Sequence, residues 1–280
     1  MSKIVIDEEV LDVLIEKALP REYEVLMEDY DLSDDEEEYL YLLLLLFNEI
    51  VGETKKWIFS LDSFSIDDLD IFFFDEMRDE INKIFKKHFM SIGALIAMFY
   101  DIGKSTAYSD LNVTPIDFSN DIVALSVLKH QNHQVINGII DGICNNMKDT
   151  IWNGIKDGVA IGDIALLLES NAFNPIGKFT PQQRARMIAT TERSRAYNTG
   201  ILQTYQNYGV QLVSVITMHD SKVCQECIEI EQNNPYTIEE AQGLLPVHPH
   251  CRCRYMRYYD DDYVVTQFLP QNHIVDLTNY

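Results

Sequence analysis

Four of the five cysteines in this 280-residue chain fall within thirty residues, as Cys224-Gln-Glu-Cys227 and, about twenty residues later, His248-Pro-His-Cys251-Arg-Cys253. Thiolates and imidazoles at such spacing are what a tetrahedral structural zinc site requires: a Cys-x-x-Cys knuckle and a second ligand pair that closes a loop. Six side chains compete for four positions: Cys224, Cys227, His248, His250, Cys251 and Cys253. Cys251 and Cys253 lie two apart, so in extended backbone both thiols share one face while Arg252 points to the other. The expected set is Cys224, Cys227, His248 and one of Cys251 or Cys253. His250 is the substitute for His248, with Pro249 stiffening the turn between them. Disulfides or unliganded thiols are the competing readings. The opening Met1-Ser-Lys-Ile-Val-Ile-Asp lacks the apolar run of a secretory signal, and a reducing compartment disfavours disulfides.

The elements that must position this cluster read as mainly α: a helical N-terminal and central region, then a small zinc-stabilised α+β C-terminal region. Spacing predicts an acidic amphipathic helix over 7–19 and a second helix entered through Ser33, with Glu36 completing a capping-box pattern. The run Tyr39–Phe47 is wholly apolar or aromatic, six of its nine residues being leucine. At nine residues it is far short of the about 20 that cross a bilayer, so it reads as a helix buried on all sides or offered to a partner. Asp67 to Tyr100 is helical and rich in Phe, which reads as core and not as a cofactor box. Helices follow over 118–133 and 134–158, then a glycine turn at Gly158 and a short helix over 163–169. Thr180-Pro181 opens a long helix to about Asn207, with Thr180 as N-cap and Pro181 at the first helical position. After Gly209, β-branched residues predict a strand over 210–218, and Arg252–Tyr259 a second strand. The organisation expected is an acidic partner-binding region over 1–110, a domain over 111–258 holding the zinc motif at 219–253, and an extended acidic tail over 259–280.

On the long helix, Ala185, Ala189, Glu192, Ala196 and Thr199 form one face of small residues, a surface suited to close backbone packing. A carboxylate there must be paired. Arg252 and Arg254, beside the zinc ligands, and backbone N–H groups of the zinc loop are its candidate partners, so Glu192 is read as the tie between helix and zinc loop.

The net charge is −23, and it is unevenly spread. Residues 1–105 hold 26 acidic and 10 basic side chains, whereas residues 181–258 hold 7 and 8. Such acidity disfavours a protein that coats DNA through its phosphates and suits docking to a basic surface. No Walker A loop, dinucleotide glycine loop, Gly-x-Ser-x-Gly elbow or HExxH helix is present, so nucleotide hydrolysis and metalloprotease chemistry have no support.

Several segments in fixed order look familiar: Ile188-Ala-Thr-Thr-Glu192, Ala196 to Gly200, Tyr205 to Val210, Asp220 to Cys227, and Leu245-Pro-Val-His-Pro-His-Cys-Arg-Cys253. Together they resemble the tailed-phage minor head proteins, the phage Mu F-like or head morphogenesis family, over about residues 115–258. The resemblance implies a structural, non-enzymatic head component with a zinc site. It would lie in the virion, inside the head near the portal vertex, after assembly in the bacterial cytoplasm. It would act in head assembly and in genome packaging or delivery. Implied partners are the phage portal protein and the major capsid or scaffold protein, with weak contact to genomic DNA, no membrane and no small-molecule substrate. The family usually has Arg where this chain has Thr190, and often an aromatic where it has Val215-Ile216. A rival reading is a zinc-knuckle HNH-like nuclease, with His219, Asp220 and the distant His273 as the histidines and carboxylate to consider.

Overall fold

The computed structural model describes residues 32–59, 66–116 and 120–259, apart from the side chains of 66–76, 78 and 120. The helix expected over 7–19, the tail beyond Tyr259 and His273 lie outside the described residues.

Helix α1 (Asp34–Phe59) begins where expected. Glu36 folds back on Ser33, accepting from its backbone N–H at 2.9 Å and its hydroxyl at 3.0 Å, and four carboxylates in the first turn face the positive end of the helix dipole. The leucine-rich run is core: Tyr39, Leu40, Leu43, Leu44, Leu46 and Phe47 are all buried. Helix α2 (Ile66–Leu111) is followed by α3 (Asn120–Lys156), which is one continuous helix where two were expected. No proline or cap interrupts it at His133-Gln134, so nothing breaks its hydrogen-bond ladder. Gly158, at φ +68°, makes the expected turn into α4 (Ile161–Asn171). Phe85 and Phe99 are buried, as core residues should be. No described helix is long and apolar enough to cross a membrane.

Helix α5 (Pro181–Asn207) starts at a complete capping box: Thr180 accepts from the Gln183 N–H at 3.2 Å, and Gln183 accepts from the Thr180 N–H at 2.9 Å. It packs against α1, α2, α3 and the C-terminal sheet. The small face predicted for α5 is used, and the backbone it meets is that of α2. A Cβ on Gly200 would stand 2.2 Å from the Tyr100 carbonyl oxygen, and one on Gly103 2.0 Å from that of Tyr197. Only glycine permits this crossing.

The C-terminal part is a small antiparallel sheet in the order β2-β1-β3, built from β1 (Leu212–Ile216), β2 (Tyr236–Thr237) and β3 (Arg254–Arg257). Both predicted strands form, shorter than expected, with Val215 opposite Tyr255. A helix α6 (Gln225–Gln232) and a single turn α7 (Ile238–Ala241) fill the connection. Two clusters of buried side chains result. The larger is made by α1–α4 and the first two-thirds of α5. The smaller joins Ile201, Leu202 and Tyr205 to Val213, Val215, Tyr255 and three of the cysteines. The fold is therefore mainly α with a small α+β C-terminal region.

Candidate metal centre

Cys224 is the N-cap of α6: its sulfur accepts from the Cys227 N–H at 3.4 Å. That turn brings the two knuckle thiols to one side. A matching turn, in which the Cys251 N–H donates to the His248 carbonyl at 3.1 Å, does the same for the second segment. Between them His248 Nε2 lies 3.2 Å from both Cys224 Sγ and Cys227 Sγ, and Cys227 Sγ lies 3.9 Å from Cys251 Sγ. Two triads of ligand atoms result, Cys224–Cys227–His248 and Cys227–Cys251–Cys253, sharing Cys227. All four cysteines are free thiols.

This donor set fits a tetrahedral zinc. Zn–S bonds of about 2.3 Å give sulfur–sulfur edges of roughly 3.8 Å, close to the 3.9 Å between Cys227 and Cys251. His248 Nδ1 lies 2.7 Å from the carbonyl oxygen of Pro249, which can only accept. The proton is thus on Nδ1, and the Nε2 lone pair faces the sulfurs, the orientation a metal-binding imidazole needs. His250 cannot take its place. Its backbone is left-handed at φ +62°, and its ring is held 2.7 Å from the Thr190 hydroxyl, with its N–H donating to Thr191 Oγ1 at 3.3 Å. Thr190 thus holds the imidazole two residues beyond His248.

The electrostatics suit a cation. The Cys227 N–H lowers the Cys224 thiol, and the Cys253 thiol, as hydrogen-bond donor, lowers Cys251 to about 5 and is itself raised. Burial pushes Cys227 up to about 12, yet a coordinated divalent cation deprotonates such a thiol outright. Burial lowers His248, but the Pro249 carbonyl and the thiolates of Cys251 and Cys224 outweigh it and leave the group raised.

The tie expected between Glu192 and the zinc loop is not made. Glu192 is buried and meets Arg195, at 3.5 Å, and the amide of Asn132, within a network that includes Tyr39. Arg252 instead grips Asp220 through two bonds of 2.7 Å, and Arg254 opens β3 opposite Ile216. The reason is helical phase. Each residue turns the helix by about 100°, so Glu192 shares the Ala189–Ala196 face toward the helical core. The zinc segment is met by the face of Thr191, Asn198 and Tyr205. Asn198, which sequence reasoning missed, does the work assigned to Glu192. It is buried, donates to the Cys253 carbonyl at 3.0 Å and accepts from the Tyr255 N–H at 3.1 Å. Its signal is a buried amide set four residues before Leu202 and seven before Tyr205 on one face.

Among the described residues, His219 and Asp220 are each engaged with a different side chain. His219 pairs with Glu231 at 2.9 Å, and Asp220 is held by Arg252, which keeps its carboxyl near 2. The first contact is a hydrogen bond and the second an ion pair, and both brace the loop before the knuckle.

The Cys/His cluster, the helix that supports it and the sheet around it lie in one matched region: residues 145–256 fit the family model described as Phage Mu protein F like protein. This part of the chain is a phage Mu F-like domain. No curated protein and no solved structure matches the chain. In this Mu F-like domain the Cys/His cluster stands at the C-terminal end and can hold a metal ion.

Proposed function

We propose that the chain is a structural minor head protein of a tailed bacteriophage, placed at the portal vertex inside the head, where it acts in head assembly and genome packaging or delivery. One observation carries this reading. The phage Mu F-like match spans the supporting helix and the complete Cys/His cluster, the two parts that the structure joins through Asn198. Proteins of this family are generally structural. Zinc, held by Cys224, Cys227, His248 and one of Cys251 or Cys253, pins the connection between β1 and β3. The portal protein is the proposed partner, with the major capsid or scaffold protein as a second, and the acidic charge favours protein over DNA as the surface engaged.

The test is quantitative mass spectrometry of purified particles, together with capture of the zinc-loaded protein by portal protein. A few copies per particle and specific retention on the portal are expected. Absence from both full and empty heads, or nicking of DNA by the purified protein, would sink the assignment.

A further inference from the structure

The outer face of the C-terminal sheet carries side chains that neither buried cluster uses. Along β1 and β3 the buried positions are Val213, Val215 and Tyr255, so Leu212, Ile216, Arg254 and Met256 alternate to the opposite face. The three apolar ones are half-buried and belong to neither cluster. Arg254 stands among them, across from Ile216. Of the arginines with described side chains, it alone has no hydrogen bond, ion pair or ring contact among the described residues. An unpaired guanidinium on an apolar face is matched by a carboxylate set beside apolar surface.

Such a surface exists on the same chain. Asp149, Asn153 and Asp157, at steps of four along the end of α3, line a polar cleft of about 290 Å³ together with Asn171 and Leu167 of α4. Asn146 sets its wall by donating to the carbonyls of Ala172 and Asn174 at 3.0 and 2.9 Å. Neither carboxylate has an ion pair or side-chain hydrogen bond among the described residues. Leu167 and its neighbour Leu166 are 42% and 62% exposed, so the cleft has an apolar rim.

Arg254 cannot reach the cleft of its own chain. Asn198, which holds the backbone on either side of Arg254, follows Tyr197, and Tyr197 crosses α2 at Gly103, beside the Lys104 that pairs with Asp121. From Asp121, near the start of α3, Asp149 is 28 residues further along the helix, about 40 Å at 1.5 Å per residue. We infer that copies of this chain associate head to tail: Arg254 and the apolar sheet face of one enter the Asp149–Asp157 cleft and meet Leu166 and Leu167 of the next. The two surfaces differ, so the contact is heterologous and builds a ring or an open chain, not a two-fold dimer. Both patches are small, so the association is weak and falls with added salt.

The test is sedimentation velocity of the full chain, with zinc and reductant, across micromolar to millimolar concentrations. It compares the wild type with Arg254→Glu and with the double variant Asp149→Ala, Asp157→Ala. The wild type should grow past the dimer, and each variant should associate at least about 10-fold more weakly. An equimolar mixture of the two variants should give dimers and nothing larger. In that mixture one joint survives, between the intact cleft of the first and the intact Arg254 of the second. If Arg254→Glu does not fold, the cleft variant decides alone, since its substitutions lie far from the sheet. Association of the cleft variant equal to that of the wild type overturns the inference, as does a mixture that pairs no better than either variant. A wild type that stays monomeric also overturns it, and the face then belongs to another occupant: the chain's own residues 1–31 or 260–280, or a different protein.

Discussion

At the scale of single residues, Asn198 and Glu192 show how one helical step decides a role. The Asn198 amide completes the hydrogen bonding of the chain on either side of Arg254, where β1 does not reach. Removing it strands a buried carbonyl and a buried N–H, each worth about 1–3 kcal/mol. Asn198→Ala is expected to lower the unfolding free energy by about 2–4 kcal/mol in urea titrations. Asn198→Asp keeps the acceptor for the Tyr255 N–H but turns a carboxylate on the Cys253 carbonyl, so it should be no better tolerated. Equal stability of the alanine variant and the wild type would show that water replaces the amide. Glu192 carries an opposite lesson. Burial raises its pKa, and Arg195 and Asn132 offset only part of that. Its charge is therefore disfavoured in the folded state. Between the ordinary value near 4.5 and the raised folded value, the folded state binds more protons, so this group makes stability fall as pH rises through that window. Glu192→Gln should remove that slope and be at least as stable as the wild type at pH 7. A variant that kept the same pH slope would assign it to another carboxylate. That Glu192 is buried was legible from the small residues around it. Its contact with Asn132 was not, because that amide comes from another helix, distant in sequence.

At the scale of elements, local signals were read best where a few adjacent residues set the geometry. Thr180, Pro181 and Gln183 determine the start of α5, and Ser33 with Glu36 that of α1. The glycine turn at Gly158 and the two strands flanking the knuckle were also legible. Helix α6 was hidden inside a metal motif, and the two-residue β2 has no periodicity to detect. The crossing of α2 and α5 was half legible: the small face of α5 announced a close approach, but nothing announced that Gly103 of α2 would answer Gly200. Because each Cβ would meet backbone and not a movable side chain, neither glycine tolerates substitution without separating the helices. Gly103→Ala and Gly200→Ala should each lose at least about 2 kcal/mol, although alanine favours helix by roughly 1 kcal/mol. Gly138 of α3 is the control: its Cβ would meet nothing within 4 Å, so Gly138→Ala should stabilise by about 0.5–1 kcal/mol. Thermal melts of the three variants, side by side, separate crowding from propensity. A crossing variant that melted with Gly138→Ala would refute the close approach.

At the scale of the whole molecule, the two buried clusters are unequal in what supports them. The helical cluster draws apolar side chains from five helices and needs no ion. The smaller cluster contains three of the candidate ligands, and its sheet has strands of five, two and four residues. Three short strands with so small an apolar face are marginal unless something else closes them. A metal held by the Cys/His cluster would supply that closure, since the energy of binding it is folding energy for the segment that it clasps. Chelation, or Cys224→Ala, should therefore abolish amide-exchange protection over β1, α6, β2 and β3 while α1–α4 keep theirs. Helix α5 spans both clusters and should divide. Protection would persist around Ala185 and Ala189, which belong to the helical cluster, and fall from about Asn198 onward, where Ile201, Leu202 and Tyr205 lose the sheet. Residue-resolved hydrogen exchange with and without chelator reads this directly. Uniform loss along the chain would mean that the two clusters fold as one unit, and full retention over 212–257 would mean that the sheet stands without a metal. In the divided outcome the helical cluster holds its fold by apolar packing alone, and only the region around the Cys/His cluster depends on an ion.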